Sequence, residues 1–174
     1  MLKDFNIKPF KKKKPPVDSG YTTRTEINEL KKIPLKKDFV KKYDDIESAF
    51  AKTAKEQGVE NYDKNIAAKL IKDSAPVILK LKKHHNRPRP YDLDKNLTAF
   101  KMKSMQTPSY PSGHSVQGVL IGSVLKMKYG KSAFMQTAKN ISYSRRVAHA
   151  HYKSDSKVGE DIGNSMYKHI KNKI

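Results

Sequence analysis

The chain has 174 residues, 36% of them apolar, no cysteine and a formal charge of +20. That length and apolar content suit one domain around a single core, and the lack of cysteine excludes disulfides, thiolate metal sites and thiol catalysis. The charge points to anionic partners such as phosphate esters, nucleic acid or an acidic surface, although lysine enrichment also has a purely compositional origin.

In chain order, residues 1–20 carry "KKKKPP" and are expected to form an extended basic arm, lying over the domain or loose in solvent, with the domain proper at 21–174. The N-terminal stretch has no apolar h-region, so the sequence as it stands reads as cytoplasmic, or as periplasmic or secreted if a leader was removed. "TRTEINELKKI" predicts a short helix capped by Thr23 or Thr25 and closed by Pro34. In "KKDFVKKYDDIESAFAKTAKEQG", Phe39, Tyr43, Ile46, Phe50 and Ala54 recur at three- and four-residue steps, which predicts one amphipathic helix ending at Gly58. A further helix is expected from about Asn61 to Lys83, bent at Pro76.

The stretch from about His84 to Gly113 is proline-rich and without periodicity, so it reads as a long ordered loop of the kind that carries function. Val116, Val119, Leu120, Val124 and Leu125 then describe a helix ending near Gly130. "KSAFMQTAKNISYSRRVAHAHY" and "DSKVGEDIGNSMYKHIKN" supply two more; in the last, Gly159 and Gly163 offer a smooth face for close helix contact. Strand-like alternation is lacking, and the longest apolar run, "GVLIGSVL", is far short of the roughly 20 residues of a membrane span. The fold class expected is all-α: a soluble, single-domain helical bundle with one long active-site loop.

Three clusters carry chemistry. Four of the five arginines, Arg87, Arg89, Arg145 and Arg146, fall between Pro76 and Ser154, where Asp92 and Asp94 are the only carboxylates. Arginine grips phosphate oxygens bidentately, whereas lysine is a point charge, so a lysine-rich chain that reserves arginine for this window suggests oxyanion geometry. Next, "YPSGHS" stands where the loop becomes a helix. The helix N-terminus offers unpaired N–H groups, Gly113 lets an anion approach the backbone, Ser112 adds a hydroxyl, and His114 is placed to protonate a leaving oxygen. Finally, in "SRRVAHAHYKSD" His151 follows Arg145 by six positions and precedes Asp155 by four. On continuous helix the latter spacing puts imidazole and carboxylate on one face; alternatively Asp155 caps the last helix, still close to His151. A carboxylate on one ring nitrogen leaves the other with a lone pair able to attack phosphorus.

Together, "KKHHNRPRP", "PSGH" and "SRRVAHAHYKSD" resemble the three-part signature of the type 2 phosphatidic acid phosphatase superfamily, which includes class A bacterial acid phosphatases and vanadium haloperoxidases. The match spans residues 82 to 155. Lys80 and Lys82 each stand seven residues before an Arg-Pro pair, and Lys82 with Arg89 is preferred because Arg87 and Tyr91 then fill flanking family positions. The resemblance implies an acid-phosphatase-like fold and a cofactor- and metal-independent phosphomonoester hydrolase. His151 would be the nucleophile, His114 the general acid and base, and Asp155 the orienting carboxylate. Lys82, Arg89, Ser112, Gly113 and Arg145 would bind phosphate, with Arg87, Tyr110 and Arg146 behind them. Vanadate or phosphate are the expected inhibitors. Lipid phosphate or pyrophosphate hydrolysis and vanadium-dependent haloperoxidation are alternatives within the superfamily. Outside it, the charge and the "KKKK" arm suit a basic nucleic-acid or polyanion-binding protein with an inactive pocket.

Overall fold

Apolar periodicity decides which helices lie inside. In the computed structural model, which describes all 174 residues, the order is α1 (Lys8–Lys12), α2 (Tyr21–Lys31), α3 (Lys37–Asp44), α4 (Ile46–Glu56) and α5 (Asn65–His85). There follow α6 (Pro90–Leu93), a 3-10 turn at Lys103–Met105, α7 (Gly113–Tyr129), α8 (Ala133–Val147) and α9 (Lys153–Ile170). The fold is all-helical, and no helix is long and apolar enough to cross a membrane. Helix α7 is apolar around most of its girth, burying Val116, Leu120, Ile121, Val124 and Leu125, and so takes the centre, with α8 and α9 packed along it. Gly159 and Gly163 set the α7–α9 spacing: a Cβ on Gly159 would stand 2.6 Å from the Ser112 carbonyl oxygen, closer than any side chain tolerates. The main core is completed by Phe50 of α4, Leu70 of α5, and Phe134 and Ile141 of α8.

Local details depart from the sequence reading. The single helix expected through "KKDFVKKYDDIESAF" breaks at Asp45, whose extended backbone (ψ 101°) ends α3 and whose side chain caps α4 by accepting from Ser48 N–H at 3.1 Å. The carbonyl of Asp44 is thereby released from helical pairing. Helix α2 starts after Gly20, and Thr23 is buried inside it, donating to the Val17 carbonyl rather than capping. Helix α5 runs through Pro76 to His85. The first 20 residues lie over the domain without being extended throughout: α1 is helical, Leu2 is buried in the main core, and His84 and His85 meet the carbonyls of Lys11 and Phe10.

Candidate active site

The turn before α7 fixes the first part of the site. Ser112 caps that helix by accepting from Ser115 N–H at 3.3 Å, and its own N–H donates to the Asp155 carbonyl at 3.1 Å, which ties "PSGH" to the start of α9. His114, one residue into α7, sends Nε2 to the freed Asp44 carbonyl at 2.9 Å, with the Asp44 carboxylate at 3.4 Å. Both partners accept, so neutral His114 keeps its proton on Nε2 and leaves Nδ1 as the lone-pair nitrogen. Burial pushes its pKa below the usual imidazole value, and the Asp44 carboxylate opposes that shift.

His151 lies in the turn between α8 and α9. Its Nδ1 is 3.1 Å from Asp155 Oδ2, and its Nε2 is 3.2 Å from an Arg89 guanidinium nitrogen. The carboxylate fixes the tautomer: the proton sits on Nδ1, and the Nε2 lone pair faces the cationic side of the site. Burial, then the Arg89 charge, holds the ring's pKa well below the ordinary range, so it stays neutral in mild acid. Asp155 is the third residue of α9 and accepts Tyr152 N–H at 3.1 Å in a capping arrangement. The Ser109 hydroxyl also donates to it, and Arg87 reaches its other oxygen at 2.7 Å. Burial raises its pKa, but the His151, Arg87 and Ser109 contacts more than offset that and leave it lowered.

Three buried cations surround these rings. Arg145 donates to Asp44 at 2.8 Å and to Ser144 Oγ at 3.1 Å, while its Nη2 is buried without a partner. Arg89 donates to the carbonyls of Thr107 at 3.0 Å and Ala150 at 2.9 Å. Lys82 Nζ donates to the Pro108 carbonyl, and burial, with Arg89 nearby, pulls its pKa down to about 7. A Cβ at Gly113 would stand 3.8 Å from Lys82 Cε, which puts the open backbone of the α7 turn against the lysine stem. A groove of about 550 Å³ lined by Arg89, Tyr91, Lys101, Gln106 and Pro108 adjoins the cluster.

Thus His151, His114, Asp155, Lys82, Arg89, Ser112, Gly113 and Arg145 come from α5, the long loop, α7, α8 and α9 to one region. Lys80 is exposed and outside it. Arg87 is buried behind Asp155, paired with Glu26 at 3.4 Å and stacked 3.6 Å over the Tyr152 ring. The Tyr110 hydroxyl turns away to the Lys13 carbonyl at 2.8 Å, and Arg146 lies by Tyr143 on the half-exposed side of α8.

Sequence reasoning missed Asp44, Ser109 and Glu26. Glu26 accepts from Ser154 N–H at 2.6 Å and balances Arg87. The only prior signal for Asp44 was the doubled aspartate within an apparent helix. No cluster of three His, Cys, Asp or Glu side chains forms a metal site. Compared with known proteins, the chain matches no family model and no curated relative.

Proposed function

We propose that the protein is a phosphomonoester hydrolase of the acid-phosphatase type, working through a phosphohistidine. The reading rests on one observation: a carboxylate-oriented imidazole, His151, stands among three buried cations, one of which, Arg145, keeps a buried N–H nitrogen unpartnered. Buried cations without matching carboxylates are costly, and a bound anion relieves the cost. The "PSGH" and "SRRVAHAHYKSD" resemblances agree with this reading.

In the proposed reaction the phosphoryl oxygens take donors from Lys82, Arg89, Arg145, Ser112 and the α7 N-terminus. The Nε2 lone pair of His151 attacks phosphorus as the bond to the ester oxygen breaks, and protonated His114 gives that oxygen its proton. Neutral His114 then takes a proton from water as the oxygen attacks, and the P–N bond electrons return to Nε2. Asp155 stabilises the positive charge on the phosphorylated ring. The test is release of phosphate from an aryl phosphate in the presence of a chelator. His151→Ala is expected to abolish turnover with helical content unchanged; full activity in that variant would falsify the nucleophile assignment.

A further inference from the structure

His149 holds a backbone φ of +55°, a region uncommon for a side chain of its size, and it is buried. Its Nδ1 is 2.6 Å from the Thr98 carbonyl oxygen and its Nε2 is 2.8 Å from that of Ile33. A carbonyl oxygen only accepts, and a neutral imidazole has one N–H; the imidazolium alone donates to both. The ring therefore ties the corner between α2 and α3 to the long loop, two residues before His151.

The tied segment is the cover of the cradle. From Thr98 it passes Phe100, whose N–H donates to the Ala148 carbonyl at 3.0 Å. At the 3-10 turn, Ser104 reaches Asp44 at 3.1 Å and Met105 is buried in a small cluster with Val40, Val147 and Ala150. It ends by placing the Thr107 and Pro108 carbonyls on Arg89 and Lys82.

We propose that His149 is a positioning residue that works as an imidazolium clamp, holding segment 98–108 down over the cradle in acid and releasing one of its two ends as pH rises. Loss of a single ring proton suffices: the deprotonated nitrogen then turns a lone pair on a carbonyl oxygen at hydrogen-bonding distance. No carboxylate bonds to the ring. Charged groups on the elements packed around this turn are Arg145 and Arg146 of α8, Arg89, which donates to the Ala150 carbonyl, Lys32 and Lys36 between α2 and α3, Lys37, whose Nζ is 5.7 Å from the Phe100 ring centroid, and Asp94, paired with Lys31 at 2.6 Å. Two carbonyl oxygens, one on each ring nitrogen, are thus what holds the second proton. The consequence for catalysis rests on the phosphatase reading; the clamp itself does not.

The deciding measurement is a ring-nitrogen NMR titration of the wild-type chain, with amide exchange at Phe100 corrected for intrinsic pH dependence. Both ring nitrogens are expected to be protonated in acid, and Phe100 protection to fall about tenfold as the ring deprotonates, the factor for one charge-assisted hydrogen bond. His149→Gly suits the positive φ and should abolish that pH dependence. The clamp is overturned by a ring that stays neutral from about pH 5 to 8, or by Phe100 protection that follows pH equally in the glycine variant. Inorganic phosphate binding probes the link to the site. His149→Gly should weaken it about tenfold more in acid than near pH 8, where the neutral ring of the wild type has already released one end. Equal affinities in acid overturn the positioning role. No phosphate binding by the wild type instead counts against the phosphatase reading, while the ring titration still decides the clamp.

Discussion

Arg87 and Asp155 meet at 2.7 Å with both side chains withdrawn from solvent. The same guanidinium reaches Ser154 at 2.8 Å and Glu26 at 3.4 Å, so one cation balances two carboxylates behind His151. Arg87→Met keeps the bulk but strands those charges, and is expected to destabilise the fold by about 3–5 kcal/mol. Chemical denaturation measures this; a loss below about 1 kcal/mol would show the pair to be dispensable.

Asp44 links His114 to Arg145, holding the Arg145 guanidinium at 2.8 Å and His114 Nε2 at 3.4 Å. The His114 contact, joined by Arg145 and opposed by burial, keeps the Asp44 carboxyl well below its usual range. Asp44→Asn removes the charge that props up the His114 pKa. The alkaline limb of kcat/KM should therefore shift to lower pH, with about a tenfold loss at neutrality. An unshifted limb would separate Asp44 from the proton transfer.

Stability should fall in acid in two stages. His114 and His151 have folded-state pKa values depressed by burial, so below the ordinary imidazole value of about 6.5 the unfolded chain takes up protons first and folding weakens. Asp44 and Asp155 are also depressed, and their contribution is lost below about pH 4 as the unfolded carboxylates protonate. Thermal unfolding across pH 3–8 checks both stages. A melting temperature flat from about pH 6.5 to 4.5 would contradict the buried-neutral state of the histidines.

Lys82 gives a complementary test. Its pKa of about 7 means that folding relieves lysine protonation, so its share of stability grows as pH rises from about 7 toward the free lysine range. At lower pH the charge is present and unmatched. Phosphate or vanadate should then raise the melting temperature, and Lys82→Met should leave the empty protein at least as stable while abolishing most of that anion response. An equal response in the variant would remove Lys82 from the cradle.

The periodic segments were legible in sequence. Val158, Ile162, Met166 and Ile170 placed α9, and the "PSG" turn placed the start of α7, because caps and apolar steps are local signals. The Asp155–His151 contact followed from spacing under either local geometry considered, but Asp155 is not the cap itself: Tyr152 holds that position, and Asp155, third in α9, accepts its N–H. What escaped was set by distant partners. The break at Asp45 interrupts a helical pattern that is amphipathic on both sides, and it leaves Asp44 pointing at residues 70 and 101 positions away. The resemblance places Arg87 behind the phosphate donors, but what it balances there stayed hidden because Glu26 lies 61 residues upstream, beyond any local pattern. Whether the arm at residues 1–20 lies over the domain or stays loose is open in the sequence, because its lysines mask Leu2, whose partners lie elsewhere in the chain.

The support behind His151 closes loops of 61 and 68 residues through Arg87 alone. Contacts that distant form only after the intervening helices have collapsed, since loop closure must precede their reward. During refolding, the helical signal should therefore recover ahead of the correct setting of His151, and a truncated or half-assembled chain can look fully helical while this buried network is still unbuilt.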